Sequence, residues 1–220
     1  MSTQNEVKVW DLFVRCFHWS LVVLFVVSYL TGDEETDIHF WSGYAIATLV
    51  LVRVIWGLIG SEHARFSDFV YSPAVIKAYA RDVMAGSAKR YIGHNPLGGL
   101  MVVALLLSLT FTTLSGMVLL GVDEGEGPFA SLKTAELSVP NVSFIATAYA
   151  DDDDDHRSDH KASKKGGEEE EEDGLLEEVH EFFVNFTLLL VLLHIGGVVL
   201  ESRRHKENLA RAMVHGKKRV

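Results

Sequence analysis

The amino-acid sequence predicts an all-α membrane protein, a four-transmembrane-helix bundle with its N- and C-termini on the cytoplasmic side. Three observations lead there. The 220 residues are 48% hydrophobic, yet 23% are charged and the net charge is −10. Apolarity and charge at such levels in one short chain call for segregation into blocks. The apolar residues do fall into four blocks, at about residues 12–30, 40–59, 97–120 and 182–200. Each approaches or exceeds the roughly 20 residues a helix needs to cross a ~30 Å hydrocarbon layer. Finally, Lys and Arg are unevenly shared among the connections, which sets the orientation.

The first block has no basic segment before it and no small-residue cleavage pattern after it, so it is expected to remain as an anchor. The connection that follows carries Asp33, Glu34, Glu35 and Asp37 and no base. The second block contains Arg53. After it come Arg65, Lys77, Arg81, Lys89 and Arg90. Within that stretch residues 72–88 read as a short amphipathic surface helix starting near Pro73, with Val75, Tyr79, Val83 and Met84 set against Lys77, Arg81 and Asp82. The third block is introduced by His94-Asn95-Pro96, where the proline suits a first helical turn and Asn95 a cap.

Residues 122–179 form a strongly acidic connection with Asp at 151–155 and Glu at 168–172. Such runs repel themselves and stay solvated, so a flexible, partly disordered loop is expected. Docking of a basic partner, or a metal site built from His156, His160 and the Asp run, are the sharper alternatives. The fourth block is followed by a tail with Arg203, Arg204, Lys206, Arg211, Lys217, Lys218 and Arg219. Four spans put both termini on one side, and the bases assign that side to the cytoplasm. A multi-pass protein of the bacterial inner membrane, with its acidic connections in the periplasm, is the expectation.

Composition excludes several functions. An acidic chain lacks the basic face of a nucleic-acid binder. The single cysteine, Cys16, excludes an internal disulfide, a multi-cysteine zinc or iron–sulfur site, and covalent haem attachment through Cys-x-x-Cys-His.

Histidines carry the chemistry. His18, His39, His94, His180 and His194 lie in or at the ends of the spans, where a polar side chain is costly and usually marks function. His180 and His194 are fourteen positions apart on one helix. Fourteen steps return to within ~40° of the starting direction and cover ~21 Å of axis. One helix thus offers two imidazoles on one face, one near each leaflet, as two stacked haems require. His18 and His194 each lie six residues from the same membrane boundary, at matching depths of ~9 Å. His39 and His180 both open their spans on the opposite side. The pairs His18/His194 and His39/His180 follow as axial ligands of two haem irons, and bis-imidazole ligation suits electron transfer. Gly43, Gly98, Gly99, Gly116, Gly196 and Gly197 make room for close helices or for a flat macrocycle.

His94 has no depth-matched histidine left over. It reads either as a polar residue at the interface or as a contact for a haem propionate or a quinone head group. Arg53, inside its span, needs an anionic partner such as a propionate, whereas Arg15 can snorkel to lipid head groups. Trp10, Trp19, Trp41 and Trp56 read mostly as an interfacial belt. His205 and His215 read as surface residues of the tail.

Several of these residues also carry a family resemblance. Arg15-Cys16-Phe17-His18-Trp19 resembles the first-span R-x-x-H-W pattern of bacterial diheme b-type cytochromes, the cytochrome b561 and nickel–iron hydrogenase cytochrome b superfamily. His39-x-x-x-Gly43 with Arg53-x-x-Trp56-Gly57 is similar to the second span, and Tyr91-Ile92-Gly93-His94-Asn95-Pro96-Leu97-Gly98-Gly99 to the mouth of the third. His180 and His194, then Glu201-Ser202-x-Arg204-His205-x-Glu207-Asn208-Leu209, resemble the fourth span and its tail. The resemblance covers nearly all of the chain except the acidic connection. It implies two non-covalent haem b groups held by His18, His39, His180 and His194. They would pass electrons across the bilayer between the quinone pool and a periplasmic redox protein or enzyme subunit, one with a basic face if it docks on the acidic connection. A periplasmic small-molecule oxidoreductase, with superoxide as substrate, and a haem-free membrane scaffold or transporter are the alternatives.

Overall fold

A computed structural model describes residues 6–32, 36–133 and 164–219, with the backbone alone over 164–173. Helix α1, Leu12–Leu30, begins where Asp11 accepts a hydrogen bond from the Val14 amide at 2.7 Å and caps the free first turn. Helix α2, Asp37–Ile59, starts at Asp37, before the expected position 40, and ends at Gly60. Two short helices follow, α3 (Phe66–Phe69) and α4 (Pro73–Met84), the latter with its proline in the first turn as expected. Helix α5, Pro96–Asp123, is capped by Asn95, whose side-chain oxygen accepts from the Gly98 amide at 2.7 Å. Helix α6, Lys164–Arg204, and α7, Leu209–His215, complete the helices. A small antiparallel ribbon joins β1 (Glu6–Lys8) to β2 (Lys217–Arg219), with Val7 opposite Lys218.

Four of these helices are long and apolar enough to cross a membrane: α1, α2, α5 and the Gly174–Arg204 part of α6. Large apolar side chains such as Leu30, Trp41, Leu58, Ile59 and Leu192 point outward. In water that would be a liability; in lipid it is what a spanning helix presents.

The chain forms two compact units, one of Met1–Leu114 with Phe182–Val220 and one of Ser115–Glu181. In the first, Ile46 and Val50 of α2 pack on Leu106 and Leu109 of α5, flanked by Phe17, Leu21, Leu24 and Phe25 of α1. Lipid is as apolar as leucine, so helices there need packing and hydrogen bonds to hold them. The fully buried Thr187 of α6 supplies one: its hydroxyl lies 2.6 Å from that of Ser108 and 3.1 Å from that of Thr112, both on α5. At the end that carries the chain termini, Val9, Trp10, Val14, Ala64 and Ala212 form a second core. Gly99 lets α5 approach α3 closely, since a Cβ there would lie 2.1 Å from the Phe69 carbonyl oxygen.

The second unit holds the remainder of α5, a 3-10 turn at Ala130–Lys133 and the first part of α6. Gly121 packs against Phe129, and Lys133 Nζ donates to the Asp123 carbonyl at 2.5 Å.

Several expectations change. Helix α6 begins at Lys164, so the glutamates at 168–172 lie in helical backbone and not in a loop. Glutamate is a good helix former, and adding turns to an existing helix is far easier than starting one. Trp10 is buried and Trp56 donates its indole N–H to Asp11 at 3.0 Å, so neither belongs to an interfacial belt; Trp41 and Trp19 do face outward. On α4, Tyr79 is buried but Val75 and Met84 are exposed, which narrows the apolar face. The Asp run at 151–155 with His156 and His160 lies outside the described residues, as do Asp33, Glu34 and Glu35.

Candidate functional site

In the first unit, His18 of α1 and His194 of α6 face one another with ring centroids 6.4 Å apart and planes inclined by 55°. For a metal–imidazole bond of about 2 Å, two imidazoles on opposite sides of one metal would have centroids about 6.3 Å apart. The gap is therefore the width of one metal with an imidazole on either side. His18 also stands edge-on to Trp19 at 5.2 Å, and its Nδ1 is buried without a hydrogen-bond partner among the described residues.

His39, near the start of α2 in the same unit, places Nδ1 2.9 Å from the Ser28 carbonyl oxygen of α1. A carbonyl only accepts, so Nδ1 carries the proton of this bond. That is the usual arrangement of a metal-ligating histidine, whose other ring N–H is tied to a carbonyl or carboxylate. His180 belongs to the second unit. Its Nδ1 lies 3.0 Å from the Ser115 hydroxyl, and its ring fills the space above Gly116, where a Cβ would come within 2.9 Å of it. The sequence reading named Gly116 but missed Ser28 and Ser115. Neither has a signal of its own, because each is defined only by the helix that packs beside it.

At the terminal end, His94 is flanked by Trp10 and Phe69, with ring centroids 4.7 Å away in each case and planes inclined by 57° and 50°, and its carbonyl accepts from the Tyr71 hydroxyl at 3.3 Å. Burial, then the charges of Arg53 and Lys218, push its imidazole down to about 3, so the ring is neutral in use. Its Nδ1 is buried and has no partner among the described residues. The interface position expected from sequence thus becomes an aromatic slot, built from residues far apart in the chain.

Arg53 is only 3% exposed. One guanidinium nitrogen, Nη2, donates to the Ala64 carbonyl at 3.1 Å, and the group lies over the rings of Phe66 and Phe69 at 5.5 and 5.9 Å. The other nitrogen, Nη1, is buried and has no partner among the described residues, a charge-assisted donor left unused. Arg15 turns to the chain and not to lipid: it donates to the Val214 carbonyl of α7, while its Nε is buried and has no partner among the described residues. The tail that receives it is tied back by the β1–β2 ribbon, by the Arg90–Glu207 pair, and by Lys218, which lies over Trp10 at 5.6 Å. His215 is exposed as expected, whereas His205 is largely covered and pairs with Glu201 at 3.1 Å.

A membrane bundle that turns imidazoles of different helices toward one another across a gap of metal width falls in the class of membrane-spanning b-type cytochromes. Residues 9–216 match the prokaryotic cytochrome b561 family, and the chain belongs to that family. Among curated relatives, the chain is 31% identical to a probable Ni/Fe-hydrogenase B-type cytochrome subunit of Azotobacter chroococcum mcd 1, over 58% of this chain and 65% of that protein. It is 31% identical to the one from Azotobacter vinelandii, over 53% of this chain and 60% of the relative. With the one from Bradyrhizobium diazoefficiens it shares 29% identity over 55% of this chain and 60% of the relative. The chain therefore spans less than two thirds of each of these relatives. No solved structure matches it.

Proposed function

We propose that this chain is a transmembrane electron conduit that holds two haem b groups. His18 and His194 hold one toward the terminal end; His39 and His180, paired by their matching depth in the sequence, hold the other. The 6.4 Å separation of the His18 and His194 rings is the observation that carries the reading. When bound, haem b supplies a reversible one-electron couple that the protein tunes through ligands, hydrogen bonds and burial. The chain's own residues do the rest. Ser28 and Ser115 fix the orientation of His39 and His180. The spare Nη1 of Arg53 offers a charge-assisted donor to a propionate. The outward apolar faces of the helices keep water from the imidazoles.

The terminal end is assigned to the cytoplasm by its bases, and the protein to a bacterial inner membrane. Quinone is the exchange partner at that end, near His94, Arg53 and Arg15. On the periplasmic side electrons pass to or from a redox protein or an enzyme subunit. The names of the relatives as hydrogenase subunits favour the second. Substituting His194→Ala tests the assignment: one of two b haems should disappear from the reduced-minus-oxidised spectrum while the other stays. Retention of both would refute the ligand set.

A further inference from the structure

Seven residues beyond His194 on α6 stands Glu201, with no ionisable residue between them. Seven residues are nearly two turns, which keeps Glu201 on the His194 face to within ~20° and ~10 Å further along the axis. The surface between them is open, since a Cβ on Gly196 or Gly197 would meet nothing within 4 Å. The carboxylate itself is largely covered, its side chain 15% exposed; Oε1 accepts a hydrogen bond, and Oε2 lies close to His205 Nε2 without the alignment of one. His205 Nε2 faces Oε2 at 3.1 Å, and the buried Tyr79 donates to Oε1 at 3.4 Å.

The surroundings fit proton exchange better than a simple tie. Burial, then the Glu201 carboxylate, push the Tyr79 phenol up to about 12, so it remains a hydrogen-bond donor throughout the physiological range. Its ring meets Tyr91 edge-on at 5.5 Å, Tyr91 meets Tyr71 at 6.0 Å, and Tyr71 donates to the His94 carbonyl. This links the carboxylate to the aromatic slot through one cluster of tyrosines. The other charged groups around the pair are Arg204 on α6, Lys218 on β2, and Glu207 with its partner Arg90.

We propose that Glu201 and His205 form the proton-exchange pair for a lipid-soluble quinone that reacts at the His94 slot. This rests on the quinone reading above and adds the route of the protons. Converting one quinone to quinol takes two electrons, which haem groups held by the histidines would supply one at a time. It also takes two protons, passed from the aqueous side by His205 to Glu201 and on to the two carbonyl oxygens. Oxidation of quinol runs the same transfers in reverse.

The test uses the full chain, loaded with haem and reconstituted in vesicles, with a short-chain ubiquinol as donor and haem reduction followed by stopped flow. Glu201→Gln should slow quinol-driven reduction at least tenfold at neutral pH, with haem content and the dithionite-reduced spectrum unchanged. Added formate or acetate should restore much of the rate by carrying protons in place of the lost carboxylate. His205→Ala should be slowed in the same way and restored by imidazole. Parent-like rates in both variants, or slowing that no weak acid or base restores, would overturn the proposal. A parent protein whose haems are reduced by dithionite but not by quinol would sink the quinone reading and this one with it.

Discussion

Asp11 ties three parts of the terminal end together. Its carboxylate caps α1 through the Val14 amide, accepts from the Trp56 indole of α2, and accepts from the Ser61 hydroxyl just beyond α2. Burial works against its charge, but those hydrogen bonds and the nearby Arg53 hold its carboxyl below the usual carboxylate range. A folded-state value below the unfolded one stabilises the fold above about pH 4, and that contribution is lost as pH falls through the carboxylate range. Asp11→Ala should lower thermal stability in detergent at pH 7, the cap alone being worth ~1 kcal/mol. Asp11→Asn keeps a cap and should cost less, and its difference from the parent should close as the pH is taken below about 4. A deficit that stays constant with pH would mean the charge of Asp11 contributes nothing. At this scale some residues are legible from sequence and some are not. The period of fourteen marks His180 and His194, and depth matching selects His18 and His39. The Trp10 and Phe69 rings around His94 and the Ala64 carbonyl under Arg53 leave no local trace, because each joins segments distant in sequence.

Between elements, the contact of α5 with α6 depends on hydroxyls. Thr187 is completely buried and shares hydrogen bonds with Ser108 and Thr112. Interhelical bonds of this kind in membranes contribute ~0.6 to 2 kcal/mol. Thr187→Val, nearly equal in shape, should therefore destabilise the bundle by that amount in a thermal or denaturant melt. Combined with Ser108→Ala it should cost less than the sum of the two single changes, since both remove one bond. Full additivity would mean the two hydroxyls act separately. The spans themselves are plain in the sequence because a run of apolar residues long enough to cross lipid has few other uses. Their ends are less plain. Asp37 lies inside α2 and the glutamates at 168–172 inside α6, since a helix continues through polar residues once the apolar segment has formed it.

On the scale of the molecule, a multi-pass helical protein of the cytochrome b561 family carries imidazoles at both ends of its spans. The fold class needed only hydropathy and length. The terminal clasp did not show in the sequence: β1 and β2 are three residues each, and Arg90, Glu207 and Lys218 meet only after the whole chain has folded. We propose two kinds of partner, a protein with a basic face and an enzyme subunit. Both ideas presuppose the pigment. The most direct test of the account is therefore the haem content of the purified protein, by pyridine haemochrome per mole of chain. The account predicts two haem b per chain, with a b-type α band on reduction. A colourless protein, or a single haem per chain, would contradict it.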